Sequence, residues 1–266
     1  MYERYQTMGF ELSDSGVLTV TFLRADKLNA IDADFHRELS TVFADIGMDR
    51  RVRAVMLTGA GRAFCAGGDL DWIAGETTAT RETTFFEARK IVDDLLSVPQ
   101  PVIAAVNGTA AGYGFTMALM SDFSIVAENA RLSDPHVMIG LVAGDGGAMM
   151  WPILVGMARA KQFLLTGDPV VGRVAAEWGL VTEAVAVEDV LPRAMELAER
   201  MAASPAVAVQ GTKKALNAVL RLLSSATLDL GFAAERESAL SEDHRQLLGS
   251  ALEARDRRRA AAAVPK

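Results

Sequence analysis

The 266-residue chain has a single cysteine, Cys65, so it can close no internal disulfide. Its opening, MYERYQTMGFELSDSG, lacks the charged-then-apolar layout of a signal peptide, and with the lone thiol this reads as a protein of the reducing cytoplasm. Basic residues are outnumbered, 27 against 34 acidic ones, for a net charge of -7, so nothing in the composition advertises a surface for nucleic acid. Long hydrophobic runs are scarce. The longest uncharged stretch, Ser97 to Ser121, is interrupted by prolines, Asn107 and glycines, which makes it strand, loop and helix of a buried core and no membrane span. Familiar chemical signatures are missing too: there is no GxxxxGK(S/T) phosphate loop, no GxSxG nucleophile elbow and no HExxH, and "GAGRAF" and "GDGGAM" fall short of a dinucleotide GxGxxG. One cysteine and three scattered histidines, His36, His136 and His244, make no zinc pattern, so neither a metal nor a separate cofactor is expected.

What is present is apolar: half of the residues, enough for a sizeable core. "GVLTVTFLRA" (Gly16 to Ala25) alternates like a half-buried strand, and "DADFHRELSTVFADIGMD" has helical spacing, with Phe35, Leu39, Val42 and Ile46 on one side. "VRAVMLTG" and "PVIAAVNG" are short apolar runs ending at glycine, as strands covered on both faces do. Each leads into a glycine-bearing turn and then a helix. A strand, "FSIVAE", precedes "SDPHVMIGLVAGDGG", and a helix begins near Gly147, where Pro152 is tolerable in a first turn but not deeper. Beyond "EWGLVTEAVA" the chain is helical to its basic tail. No fixed-period repeat and no low-complexity linker divides it, which predicts one α/β fold with a core over residues 1–200 and an all-helical region over 201–266.

Two strands that end in glycine turns and enter helices can aim two helix N-termini at one place. First-turn N–H groups are unpaired and carry partial positive charge, so they suit a developing anion. Gly67 and Gly68 in one turn, and Gly112 and Gly114 in the other, would let backbone approach a ligand and form an oxyanion hole. The alternative is that these glycines only permit sharp turns and close packing.

"AFCAGGDL", "PVIAAVNGTAAGYG", "ALMSD", "GLVAGDGG", "LLTGD" and "AAEWGLVTEAV" occur in an order and spacing that resemble the crotonase (enoyl-CoA hydratase/isomerase) superfamily, from about Gly16 to Asn217. The resemblance implies a crotonase-type spiral of ββα units whose C-terminal helices help form a trimer or a dimer of trimers. It implies an acyl-CoA substrate, with CoA part of that substrate, whose thioester carbonyl becomes an enolate held by the N–H groups of Gly68 and Tyr113. Arg24 and Lys27 would lie near the CoA phosphates and adenine. Ala66, Asp69, Leu70, Trp72, Gly112, Met138 and Leu141 would border the substrate.

The family's hydratases carry two catalytic glutamates; at the matching positions this chain has Thr116 and His136. Tyr113 replaces the middle glycine of the family's GGG and should add a phenol at the mouth of the site. An imidazole, with a reference pKa near 6.5, can exchange a proton at neutral pH, and Asp145 can fix its tautomer. Other readings stay open: Asp145 as the cap of the next helix, His136 as a structural histidine, Thr116 as helix wall, Asp69 as a helix cap. Trp72, Ile73, Met117, Met138 and Leu141 would line an acyl pocket or be ordinary core. Cys65 reads as a small buried residue, and His36 and His244 as surface positions on helices. Three functions follow. The first is an acyl-CoA enzyme of the hydratase/isomerase type, foremost one that adds or removes water at an enoyl-CoA, with His136 as acid/base. The second is a β-diketone C–C bond hydrolase, since a branch of the superfamily is similar in using a His/Asp pair. The third is a non-catalytic acyl-CoA-binding relative.

Overall fold

The computed structural model describes residues 1–262. Strands β1 (Met8–Leu12) and β2 (Val17–Phe22) form an antiparallel hairpin, and β2 shows the alternating burial its sequence predicts. Helix α1 (Ala33–Met48) starts where the Asp32 side chain accepts the Phe35 N–H, and it buries Phe35, Leu39, Val42, Phe43 and Ile46.

Three strand pairs follow, each ending in a helix. β3 (Ala54–Gly59) and β4 (Ala63–Cys65) lead to α2 (Leu70–Gly75) and α3 (Thr78–Ser97). β5 (Val102–Val106) and β6 (Thr109–Ala111) lead to α4 (Tyr113–Met120), and β7 (Phe123–Ala127) and β8 (Arg131–Ser133) lead to α5 (Gly147–Thr166). The first strand of each pair joins a six-stranded sheet ordered β1-β2-β3-β5-β7, completed by β10 (Glu183–Val185). The second joins a four-stranded sheet, β4-β6-β8, completed by β9 (Val170–Val171). Neighbours are parallel except β1 with β2 and β8 with β9. This is the expected spiral of ββα units. At one corner between the sheets Asn107 Nδ2 donates to the carbonyls of Gly59 (2.8 Å) and Gly61 (2.9 Å), which ties two successive crossings together. β3 and β5 are buried at every residue, as their unbroken apolar runs require.

The rest is helical apart from β9 and β10: α6 (Gly172–Glu177), α7 (Val190–Ala203), α8 (Ala206–Ser238) and α9 (Glu242–Ala262). α7 covers β3, β5 and β7, whereas α8 packs on α3 and α5, and α9 on α2 and the short 3-10 turn His136–Ile139. Buried Lys213 of α8 donates to the Gln100 carbonyl (2.8 Å) and to Asp122 (2.6 Å), anchoring the helix to the end of β5. Gly144 and Gly231 let backbone meet backbone: a Cβ on Gly144 would lie 2.3 Å from the Gly231 carbonyl oxygen, and one on Gly231 2.8 Å from that of Gly144. Pro152 corrects one expectation. It is the sixth residue of α5, beyond the first turn, and the helix breaks at Gly156 (φ 77°, ψ 160°), so its two halves run separately. Among the described residues no helix is long and apolar enough to cross a membrane.

Candidate active site

The two glycine turns meet. Gly67 has φ +83°, and a Cβ there would lie 2.8 Å from the Ala111 carbonyl oxygen and 3.7 Å from Gly112 Cα. Gly112, also at positive φ, opens α4. Ile31 runs beside the first turn, its N–H on the Gly67 carbonyl and its carbonyl on the Asp69 N–H, each at 2.8 Å. Among the described residues the Gly68 N–H between those bonds has no backbone partner. In the second turn the Gly112 N–H donates to Ser133 (3.0 Å), and the next N–H, that of Tyr113, is likewise free at the first residue of α4. Both turns border a cavity of about 210 Å³. Asp69 accepts the Asp71 N–H (3.0 Å) and so is the cap of α2, the alternative weighed for it. The Tyr113 phenol is not at the mouth: it is buried and donates to the Ala88 carbonyl of α3 at 2.9 Å. Burial, followed by the charge of Asp145, raises its pKa well above the usual phenol value.

His136 begins the 3-10 turn after β8, with its ring against the second glycine turn: a Cβ on Gly112 would be 3.5 Å from His136 Cε1. Nδ1 is 2.5 Å from Asp134 Oδ1 and Nε2 is 3.3 Å from Asp145 Oδ2, both carboxylates being buried. Burial pulls the imidazolium down. The facing charges of Asp145 and Asp134 outweigh it and raise the pKa well above 6.5. Asp145 makes no capping bond to α5, whose N-cap is Gly146, so its carboxylate faces the imidazole instead. Asp134 escapes sequence reasoning although "SDPH" holds an acid two residues before the histidine. The donor atoms of Asp134, His136 and Asp145 lie within 4.8 Å of one another, a possible cation cluster that sequence spacing does not reveal. Because each ring nitrogen already faces its own carboxylate, the arrangement holds an imidazolium without further help.

Ala66, Leu70, Trp72, Met138 and Leu141 line the cavity. Thr116 and Met117 do not: Thr116 is buried in α4, its methyl 2.9 Å from where a Cβ on Gly146 would stand. Arg24 is engaged by Asp32 (2.8 Å), by Asp69 (3.5 Å) and by the Ala30 carbonyl, and neither it nor Lys27 reaches the cavity. Cys65 is buried, which pushes its thiol up to about 12. His36 and His244 are corrected from surface to buried. His36 Nδ1 donates to Glu87 (2.8 Å) beside Trp72, and His244 Nδ1 donates to the Ile139 carbonyl (2.6 Å), so both form cavity walls. Each is held by a partner from a distant element, which helical spacing does not register. Glu235 of α8 is a further wall residue with no sequence signal.

The chain belongs to the enoyl-CoA hydratase/isomerase family, whose description matches residues 13–256. It is 33% identical over 245 residues to the 1,2-epoxyphenylacetyl-CoA isomerase of Escherichia coli, covering 90% of this chain and 94% of that relative. Its fold superposes with a TM-score of 0.89 on an enoyl-CoA hydratase/isomerase from Mycobacterium paratuberculosis at 35% identity, covering 94% of this chain and 100% of the other. A TM-score of 0.83 relates it to a β-diketone hydrolase from the cyanobacterium Anabaena bound to (S)-3-oxocyclohexyl acetic acid, at 30% identity over 90% of this chain and 96% of that one.

Proposed function

We propose that the protein isomerises an enoyl-CoA, with His136 moving a proton between carbons of the acyl chain. The observation that carries this is His136 itself, fixed between Asp134 and Asp145 and in contact with the turn that presents the Tyr113 N–H. In a 3-enoyl thioester the neutral imidazole turns Nε2 from its looser 3.3 Å contact with Asp145 to the substrate and takes a proton from the carbon beside the carbonyl, and the electron pair moves onto oxygen. The N–H groups of Gly68 and Tyr113 hold that enolate, each donor typically worth about 2.7 to 4 kcal/mol in the transition state. The imidazolium, which exchanges its protons with solvent, returns one two carbons along, the double bond moves into conjugation, and no water is consumed. Hydration, the foremost expectation from sequence, needs one group for water and another for carbon, and Thr116 is not in the cavity. Enoyl- and 3-enoyl-CoA esters assayed in D₂O test this: isomerised product carrying deuterium is expected, and no turnover with no exchange beside the carbonyl removes the proposal.

The base must start unprotonated, and its pKa is raised well above 6.5. Activity should therefore climb with pH through a limb lying above the ordinary imidazole value. A kcat/KM profile flat from pH 6 upward contradicts the role of His136.

A second reading, C–C hydrolysis of a β-diketone without CoA, is favoured by the engagement of Arg24 with Asp32 and Asp69, which leaves it no free charge for a phosphate. Here the His136/Asp145 pair activates water, which adds to one carbonyl. The C–C bond breaks, and its electron pair leaves as an enolate that takes the proton back, giving a carboxylic acid and a ketone. Formation of the single ring-opened keto acid from a cyclic 1,3-diketone, with no turnover of any CoA ester, selects this reading.

A further inference from the structure

α8 and its C-cap turn a buried stripe inward: Leu228, Phe232 and the capping Ala239 are buried, and Phe232 and Ala239 line the cavity. Glu235 interrupts this apolar stripe on the same wall. Its Oε2 is shut off from solvent and has no hydrogen-bond partner among the described residues, and Asp145 Oδ1 is in the same condition. The close crossing of Gly144 and Gly231 causes it, since a Cβ on Gly144 would be 2.8 Å from Glu235 Oε2. Arg81, a cation that lines the same cavity, is engaged elsewhere: its Nε lies 3.6 Å from Glu76, and another of its N–H groups donates to the Ala239 carbonyl at 2.9 Å. Glu76 also accepts from Thr84 at 2.5 Å. A buried polar atom with no partner among the described residues, on the wall of a cavity, calls for one in the ligand.

We propose that Glu235 is a specificity-determining residue that hydrogen-bonds an oxygen of the substrate's acyl group other than the thioester carbonyl, so that the preferred substrate carries a keto or hydroxyl group and not a plain hydrocarbon chain. The carboxyl is suited to donate. Burial first, then the negative charges of Asp145, Asp134 and Glu76, push it up to about 8 against the opposing charge of His136, so at neutral pH it keeps its proton. A ligand oxygen accepts that proton's hydrogen bond, whereas a methylene in the same place leaves the acid unpaired, and sites of this kind discriminate strongly against analogues that lack the polar group. The thioester in this description rests on the isomerase reading; the role of Glu235 does not.

Calorimetry on the full chain tests it with two pairs of ligands: butanoyl-CoA against acetoacetyl-CoA, and cyclohexanone against cyclohexane-1,3-dione. The intact protein should bind the second member of a pair about tenfold or more tighter, a buried hydrogen bond's worth. Glu235→Gln, which keeps a donor, should retain the preference, and Glu235→Leu should abolish it, with thermal midpoints confirming that both fold. Equal binding by the intact protein, a preference that survives Glu235→Leu, or no binding of either pair overturns the proposal. A Glu235-dependent preference confined to the CoA-free pair upholds it and removes the isomerase reading instead.

Discussion

His136→Ala should lower turnover per folded molecule by about 10² to 10⁴, the usual worth of a positioned acid/base. It should also lower the thermal midpoint, because the imidazolium is the counter-charge that Asp134 and Asp145 share in a buried place. Removing one partner of a buried ion pair typically costs about 3 to 5 kcal/mol. Comparing turnover with the folded fraction separates the two effects. His136→Gln is the useful companion, since its amide can still donate to a carboxylate but cannot carry a proton away: it should recover part of the stability and none of the rate. A folded His136→Ala protein with undiminished kcat ends the acid/base assignment. There is a pH side to the stability. The pKa is raised on folding, so the contribution of His136 is complete below pH 6.5 and fades as pH rises through the raised value. The midpoints of the parent and of His136→Gln should accordingly draw together at alkaline pH.

Gly67→Ala should cost a comparable amount of rate through backbone alone. The residue has φ +83°, where an L side chain typically pays about 1 to 2 kcal/mol, and the new Cβ would stand 2.8 Å from the Ala111 carbonyl oxygen, a backbone atom that cannot swing aside. Relief requires the two turns to separate. That movement carries the Gly68 and Tyr113 N–H groups away from the point where an enolate oxygen would lie. Loss of one well-placed donor lowers kcat by about 10² to 10³, and KM should move far less because the ground-state carbonyl depends on these donors less than the enolate does. Kinetics and a melting curve on one preparation check it. A folded variant with the parent's kcat would show that the meeting of the turns serves packing only.

Much of this scaffold was legible because burial on two faces leaves a plain mark. β3 and β5 are unbroken apolar runs that stop at glycine, and the turns behind them lie where glycine spacing places them. The pairing of His136 with Asp145 was readable from residue type and position. Its companions were not. His36 follows Phe35 on α1 and borders the apolar stripe, so only the arrival of Glu87 from α3 decides that it is buried. His244 is on a helix of weak amphipathic character, and the Ile139 carbonyl that holds it belongs to the 3-10 turn far upstream. Glu235 resembles any solvent-facing acid until α8 folds back over the loop that carries Asp145. Tyr113 shows the same limit from the other side, since its backbone position was predictable but the direction of its phenol depended on α3.

The Gly144–Gly231 crossing sets an order of events for a chain emerging from the ribosome. Both glycine turns, His136 and Asp145 are made before α8, yet the wall containing Phe232, Glu235, Ala239 and His244 belongs to segments synthesised after them. A nascent protein halted ahead of residue 231 has its reacting groups and an open trough where the cavity should be. Closing that trough joins segments far apart in sequence, the kind of contact that forms late in folding. Competence therefore arrives only once α8 and α9 have been translated, and a premature stop in α8 should give a protein that holds the acid/base pair but offers substrate no enclosed place to meet it.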